Sequence, residues 1–268
     1  MSDTPTRLDR GSEVGIARTL HIASRRYPAP IWWCSDQLDA STICHCGTCF
    51  FVTIGDNRFG ITAFHVIAKF LRDRARFPKT QLMIRNTPID GWDTRAIDGD
   101  EGMDVATFLV SDDEFQAIGA SALHSAQDRW PPQPPTEGRG LVFTGYPGVD
   151  RRVIARNSIE FVQSSNGVVL TSLSRDDLEI TINPAYLIST NGEPLPAITK
   201  DLGGYSGAPV LVVSAGLASL LWLGGIVIRQ LPAKNEKDNT TVWARRPNCI
   251  RADGQLIRSR AALPNPLG

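Results

Sequence analysis

The sequence lacks an excess of charge of either sign. Its 268 residues carry 28 Lys and Arg against 28 Asp and Glu, so the formal net charge is zero. The halves differ little, with 14 basic and 17 acidic residues in 1–135 and 14 and 11 in 136–268. A nucleic-acid-binding protein is expected to concentrate basic residues in a patch or stripe. The composition therefore predicts an ordinary globular protein that does not bind nucleic acid.

The sequence also lacks an apolar leader. Residues 1–26 mix charged and polar residues and contain no continuous apolar segment of the secretory type, so we predict a cytoplasmic protein. One charge-free stretch, residues 202–228, is long enough to raise the alternative of a membrane span. Glycine, proline and serine residues interrupt this stretch, which favours two buried strands, Val210–Val213 and Leu220–Ile228. We therefore predict no association with a membrane.

Helical patterns are few, and only His65–Arg76 and Asp112–Ala120 show one. Short β-rich runs separated by Gly, Asn and Asp make up much of the remainder. The proline-rich stretch Trp130–Pro135 cannot join the interior of a sheet and divides the chain. We predict an all-β protein with few short helices and two similar halves, residues 1–130 and 136–268. Its other predicted strands are Cys49–Ile54, Phe59–Ala63, Gln81–Ile84, Val105–Val110, Leu141–Thr144, Val153–Ala155, Ile159–Val162, Val168–Leu173 and Leu178–Ile182.

Three polar residues at the ends of predicted strands are candidates for catalysis. A serine hydroxyl becomes an effective nucleophile when a base accepts its proton and an acid orients that base. Ser206 lies in Gly204-Tyr205-Ser206-Gly207, where glycines permit a sharp turn that directs backbone N–H groups to one point. His65 follows one strand and Asp104 precedes another. Each alone is typical of an ordinary polar turn residue; together they are the residue types of a Ser–His–Asp triad.

Four segments carry a resemblance to a known family. They are Gly47-Thr48-Cys49-Phe50-Phe51-Val52, Thr62-Ala63-Phe64-His65-Val66, Asp104-Val105-Ala106 and Gly204-Tyr205-Ser206-Gly207-Ala208-Pro209-Val210. In order and spacing they resemble the motifs of the trypsin-like (chymotrypsin-fold) serine peptidases, particularly the bacterial members. His65 precedes Asp104 by 39 positions, and Asp104 precedes Ser206 by 102. The segment Leu141–Gly148 also resembles the strand that opens the second barrel in bacterial members.

This resemblance implies two antiparallel six-stranded β-barrels, with His65 and Asp104 on the first and Ser206 on the second. It implies a serine endopeptidase that acts through an acyl-enzyme, in which Ser206 is the nucleophile, His65 the general base and Asp104 its orienting acid. The N–H groups of Gly204 and Ser206 would form the oxyanion hole, and no metal or other cofactor is implied. The expected partner is a protein or peptide substrate. Because a protease of this kind in the cytoplasm must be restrained, its predicted location also suggests a regulatory protein partner, a narrow substrate range or a triggered role such as a stress or phage response. The alternative is an inactive pseudoprotease that binds a peptide in the same cleft.

The sequence departs from the family pattern at several positions. Tyr205 replaces the usual Asp before the nucleophile, Ala208 replaces a Gly, and no cysteine follows His65 where the family has a disulfide. By analogy with the family, we expect Lys200 at the base of the specificity pocket and Val227 near its wall. A lysine at the base would favour an acidic side chain before the scissile bond, unless the adjacent Asp neutralises it.

Four of the five cysteines lie close together in the sequence. Cys46 and Cys49 have the spacing of a zinc knuckle, and Cys34 and Cys44 would complete four thiolates. Alternation along a strand places Cys44 and Cys46 on one face and Cys49 on the other, which does not suit a shared metal. We therefore predict buried, reduced cysteines and no metal site.

Overall fold

The computed structural model describes residues 10–34, 44–148, 152–155, 158–183, 203–214, 221–231 and 238–258. These residues form mostly strands, with few helices, and the predicted all-β class is confirmed. None of the helices among the described residues is both long enough and apolar enough to span a membrane.

The first half is one curled sheet of eight strands. The spatial order is β5-β4-β1-β2-β3-β7-β6 with antiparallel pairing, and β8 pairs in parallel with β2. This sheet differs from the expected six-stranded barrel, because it has eight strands and one of them, β8, pairs in parallel with β2. The strands are β1 (Ala29–Cys34), β2 (Cys44–Ile54), β3 (Asn57–Thr62), β4 (Leu82–Ile84), β5 (Thr87–Ile89), β6 (Ala96–Asp100), β7 (Val105–Phe108) and β8 (Ala122–Ser125).

The second half contains a closed barrel of six antiparallel strands, as predicted. The barrel order is β12-β13-β16-β15-β14-β9, and β10 and β11 form a separate hairpin. Strict alternation is clear in β13, where Leu178, Ile180 and Ile182 are buried while Glu179 between them is exposed. The strands are β9 (Gly140–Gly145), β10 (Arg152–Ala155), β11 (Ser158–Glu160), β12 (Ser164–Leu173), β13 (Asp177–Ile182), β14 (Pro209–Val213), β15 (Leu221–Leu231) and β16 (Thr240–Arg245).

Within the described residues, four α-helices accompany these strands: α1 (Arg10–Ser24), α2 (Phe64–Arg76), α3 (Trp92–Arg95) and α4 (Asp112–Ile118). The sequence predicted α2 and α4. A capping box between Ser111 and Glu114 begins α4, and Gly119 in the left-handed conformation (φ 64°) ends it.

The sequence did not predict α1, whose contacts with the second barrel include hydrogen bonds between polar side chains. His21 Nδ1 lies 2.8 Å from Ser165 Oγ, and the Ser24 and Thr144 hydroxyls are 2.7 Å apart. Hydrogen bonds between polar side chains leave no periodic apolar pattern in the sequence.

The long strand β2 separates two hydrophobic cores. Phe51 packs with Trp33, Phe70 and other residues of the first sheet and α2. Its neighbour Phe50 points to the opposite face, into a core that both halves share and that includes Leu211. Because both faces of β2 are covered here, its segment Cys49–Val52 is a continuous apolar run instead of an alternating one.

The first and the last of the described segments each contact the opposite half. Helix α1 contacts β9 and β12 of the barrel, and residues 250–258 return to the first sheet. There the Thr107 hydroxyl donates to Gly254 O at 2.7 Å, and Arg258 pairs with Asp98. The division into residues 1–130 and 136–268 as separate units stays a prediction.

The prediction that all cysteines are reduced was wrong for one pair, because Cys34 and Cys44 form a disulfide. The antiparallel register of β1 and β2 places these two residues opposite each other, with Cα atoms 4.4 Å apart. The sequence did not reveal β1, so this pairing was not visible. The disulfide occupies two of the four candidate zinc ligands. In the described part of the chain, no group of three or more His, Cys, Asp or Glu could hold a metal ion.

Candidate active site

Strand pairing brings His65 and Asp104 together. β3 pairs with β7 in a register that sets Thr62 opposite Ala106; His65 follows β3, and Asp104 directly precedes β7. The His65 Nδ1 atom lies 2.7 Å from Asp104 Oδ2, and the backbone N–H of His65 donates to Oδ1 at 2.9 Å. Both carboxylate oxygens therefore hold the same histidine, one through its ring and one through its main chain.

Asp104 adopts an unusual backbone conformation, with φ at +54°. A non-glycine residue in this region costs about 1–3 kcal/mol and persists only where surrounding contacts hold it. Two hydrogen bonds close the turn before it: Asp104 N–H donates to Glu101 O at 3.3 Å, and Met103 N–H donates to Asp100 Oδ1 at 2.9 Å. The turn directs the carboxylate back towards His65, whose side chain is half exposed.

Ser206 lies in a tight turn that requires its glycines. Gly204 and Gly207 have φ of +106° and +88°, values that residues with side chains rarely adopt. A Cβ on Gly204 would lie 2.2 Å from Tyr146 O, and one on Gly207 would lie 2.1 Å from Thr48 O. Neither glycine can be replaced without moving backbone, so the glycine pattern seen in the sequence has a steric cause.

Tyr205, the departure from the family pattern, anchors this turn in the second barrel. Its side chain is buried, and its ring packs edge-on against Phe143 with centroids 5.5 Å apart. Asn166 Nδ2 donates to the Tyr205 hydroxyl at 3.1 Å. The neighbouring Ala208 is also fully buried. Both side chains belong to the hydrophobic core of the second barrel.

The candidate oxyanion-hole donors are the N–H groups of Gly204 and Ser206. Each belongs to a peptide group whose carbonyl oxygen accepts a hydrogen bond. Gly148 N–H donates to Gly203 O at 2.6 Å, and Ala208 N–H donates to Tyr205 O at 2.8 Å. In a planar trans peptide the N–H points opposite to the C=O. The N–H groups of Gly204 and Ser206 are therefore directed away from these contacts. Neither N–H donates a hydrogen bond to another atom of the described residues.

The turn of Ser206 sits against the residues on either side of His65. A Cβ on Gly207 would lie 2.9 Å from Ala63 N, and one on Gly47 would lie 2.8 Å from Val66 and 3.4 Å from Ser206 O. Thr48 N–H donates to Ser206 O at 2.9 Å. In the chain as described, Ser206 Oγ forms no hydrogen bond with His65.

The two residues assigned to the specificity pocket have different outcomes. Lys200 lies outside the described residues. The side chain of Val227 is buried in the barrel core, and only its main chain borders the nucleophile turn: its carbonyl accepts from Gly207 N–H at 2.7 Å, and its N–H donates to Ala208 O at 2.9 Å. The role of either residue in substrate binding stays a prediction.

Sequence reasoning missed Thr48 as a site residue. Thr48 lies in a segment that resembles the family pattern, but its hydrogen bond with Gly204, 156 positions away in the sequence, leaves no local signal.

No family model matches this chain, and no curated protein sequence matches it. The fold is similar to that of the serine endoprotease from Yersinia pestis, with a TM-score of 0.46 and 15% identity over 85% of this chain and 62% of that chain. This chain therefore spans less than two thirds of the length of the Yersinia protein.

A second similar structure is the active form of the Rv3671c protease from M. tuberculosis, with a TM-score of 0.46 and 16% identity over 92% of this chain and 87% of that one. A third, described for the Sesbania mosaic virus VPg protein, has a TM-score of 0.41 and 13% identity over 81% and 85%. Similarity at these levels carries no conclusion about the activity of this chain.

Proposed function

We propose that this protein is a serine endopeptidase that hydrolyses peptide bonds through an acyl-enzyme, with Ser206 as its nucleophile. The observation that carries the proposal is the pairing of the His65 ring with the Asp104 carboxylate at 2.7 Å, beside the turn that bears Ser206. An imidazole oriented by a carboxylate next to a serine on a glycine-framed turn is the arrangement that activates a hydroxyl.

The pairing determines which nitrogen of His65 acts as the base. An ionised carboxylate only accepts hydrogen bonds, so Nδ1 carries the proton and Nε2 keeps its lone pair. As Ser206 Oγ bonds to the carbonyl carbon of the substrate, its proton passes to Nε2. Asp104 stabilises the resulting imidazolium, which then gives the proton to the departing amine. Water repeats the same sequence on the acyl-enzyme and releases the acid product.

The developing negative charge on the carbonyl oxygen would be met by the N–H groups of Gly204 and Ser206. Each such donor is worth about 3 kcal/mol to the transition state. Their orientation is supported by the hydrogen bonds that Gly203 O and Tyr205 O accept. The lack of a hydrogen bond between Ser206 Oγ and His65 is compatible with this mechanism, because catalytic hydrogen bonds are often loose before substrate binds.

The substrate class that follows is a protein or peptide, with selectivity for an acidic side chain if Lys200 forms the pocket base. A regulatory protein that restrains the cleft remains part of the proposal. Cytoplasmic location stays a prediction from residues 1–26, and the Cys34–Cys44 disulfide stands against it, because disulfides are rare in reducing compartments.

A fluorophosphonate probe, which reacts with activated serines, tests the proposal. We expect the wild type to be labelled and Ser206→Ala not to be. Ser165→Ala is the matched control, because Ser165 also contacts a histidine, with its Oγ 2.8 Å from His21 Nδ1; this variant should keep the label. Absence of label from folded wild-type protein would contradict catalysis and favour the peptide-binding pseudoprotease.

A further inference from the structure

Thr48 occupies the boundary between the two halves and uses all of its polar atoms there. It is fully buried in β2. Its backbone N–H donates to Ser206 O at 2.9 Å, and its hydroxyl donates to Gly204 O at 2.6 Å. The same hydroxyl accepts from Tyr146 N–H at 3.2 Å, and Thr48 O accepts from the Thr62 hydroxyl at 2.8 Å. A single residue of the first sheet thus binds the nucleophile turn of the second barrel twice.

These bonds complete the immobilisation of the turn. The carbonyls of four consecutive residues, 203–206, all accept hydrogen bonds, and Thr48 supplies the donors for the second and the fourth. Because each peptide is planar, holding successive carbonyls fixes the direction of the N–H groups between them. The Gly204 and Ser206 N–H groups belong to the peptides of Gly203 O and Tyr205 O, which Gly148 and Ala208 hold. Thr48 holds the two alternating peptides, those of Gly204 O and Ser206 O, so it restrains the donors through the Cα atoms that join neighbouring peptides.

Thr48 also connects this turn to the histidine. Thr62, which donates to Thr48 O, ends β3 three residues before His65. A Cβ on Gly207 would lie 2.5 Å from the Thr62 hydroxyl, so the turn and the end of β3 are in contact. A displacement of Thr48 would change the position of Ser206 relative to His65, and errors of about 1 Å in such geometry cost about 100-fold in rate.

Of the two groups by which Thr48 binds the turn, the backbone N–H and the hydroxyl, only the hydroxyl depends on the identity of the residue. Any residue except proline would offer the backbone N–H to Ser206 O. Valine has the same shape as threonine, but it would leave Gly204 O and Tyr146 N–H without their buried partner, and an unsatisfied buried polar group costs about 1–3 kcal/mol. Serine keeps the hydroxyl and removes only a methyl group.

We propose that Thr48 is a positioning residue of the peptidase: its hydroxyl holds the Gly204 carbonyl, and so fixes the peptide group that lies between the two peptides carrying the oxyanion-hole donors. This inference rests on the proposed function, because positioning matters to reactivity only if Ser206 reacts. Thr48 itself touches neither the substrate nor a reacting atom. Its loss should reduce the reactivity of Ser206 even in molecules that remain folded.

The test compares Thr48→Val and Thr48→Ser with Thr53→Val. Thr53 lies in the same strand, and its buried hydroxyl has no partner among the described residues, so its replacement by valine is a matched control. Below the unfolding temperature of every variant, Thr48→Val should react with the fluorophosphonate about 10–100-fold more slowly than wild type. Thr48→Ser should stay within about 3-fold of wild type, and Thr53→Val should be unchanged. Equal labelling rates for folded Thr48→Val and Thr53→Val would overturn the inference.

Hydrogen exchange tests the positioning role of Thr48 without requiring Ser206 to react, so this role can be judged separately from the proposed function. The backbone amides of residues 203–208 should exchange faster in Thr48→Val than in wild type, Thr48→Ser or Thr53→Val. If even the wild type resists labelling, the peptidase proposal fails, and equal exchange in Thr48→Val and Thr53→Val would then disprove the positioning role as well. Should Thr48→Val fail to fold, Thr48→Ala takes its place in both measurements, with Thr53→Ala as its control and the same outcomes expected.

Discussion

The Asp104 carboxylate binds His65 through both of its oxygens, Oδ2 to the ring Nδ1 at 2.7 Å and Oδ1 to the backbone N–H at 2.9 Å. The main-chain bond fixes where the carboxylate sits, and the ring bond fixes which imidazole nitrogen carries a proton. The orientation of the histidine therefore does not depend on the ring contact alone.

Replacement of Asp104 by Asn should lower the reactivity of Ser206 by about 10⁴-fold. An amide placed at the same position can donate to Nδ1, which would favour the wrong imidazole tautomer while preserving the fold. The measurement is the rate of fluorophosphonate labelling. Asp112→Asn is the control, because Asp112 lies in an exposed ion pair with Arg58 and should leave the rate unchanged. Similar rates for the two variants would show that Asp104 has no orienting role.

Replacement of Gly207 by Ala should destabilise the fold by more than about 2 kcal/mol, because a Cβ at φ +88° would lie 2.1 Å from Thr48 O. Gly167→Ala serves as the comparison: nothing lies within 4 Å of its Cβ position, so its effect should stay within about 0.5 kcal/mol. Urea denaturation of both variants measures the difference. An equally small effect at both positions would show that the Ser206 turn is not as tightly enclosed as described.

Reduction of the Cys34–Cys44 disulfide should lower the free energy of unfolding by about 3 kcal/mol, as expected for a loop with a sequence separation of 10. The double variant Cys34→Ser/Cys44→Ser should show the same loss and no further response to reductant. Titration of thiols in the denatured protein offers a direct check, because three of the five cysteines should react before reduction and five after it. Five reactive thiols before reduction would exclude the disulfide.

Asp98 should make the fold sensitive to acid. Its hydrogen bonds with the Arg258 guanidinium, together with backbone N–H groups, lower the pKa of this carboxyl. A carboxyl whose pKa is lower in the folded state stabilises the fold above its unfolded pKa, and this contribution is lost as pH falls through the lowered value. We therefore expect stability to decrease below about pH 4.

Replacement of Arg258 by Gln should weaken this dependence, as measured by the free energy of unfolding between neutral and acidic pH. Arg251→Gln is the matched control, because Arg251 forms a more exposed ion pair with Asp253. If the free energy of unfolding depends on pH identically in wild type and Arg258→Gln, the pairing of Asp98 with Arg258 is not the source of the acid sensitivity.

Strands with clear apolar runs and turn boundaries could be predicted from the sequence. The runs at Val210–Val213 and Leu220–Ile228 correspond to β14 and β15, and the amphipathic pattern after His65 corresponds to α2. β1 escaped prediction, and with it the disulfide. Five of its six residues are buried, so both of its faces are covered and the strand shows no alternation of apolar and polar residues.

The sequence by itself determined the local elements and the residue types of the candidate site, because side-chain alternation, helix periodicity and glycine turns act over a few neighbouring residues. Only the tertiary structure decided that Asp104 binds His65 twice and that Thr48 holds the carbonyls on both sides of Tyr205. Thr48 and Gly204 are 156 positions apart, and their hydrogen bond exists because a shared hydrophobic core packs the two halves together. Contacts of this kind depend on how the cores pack, which no short stretch of sequence encodes.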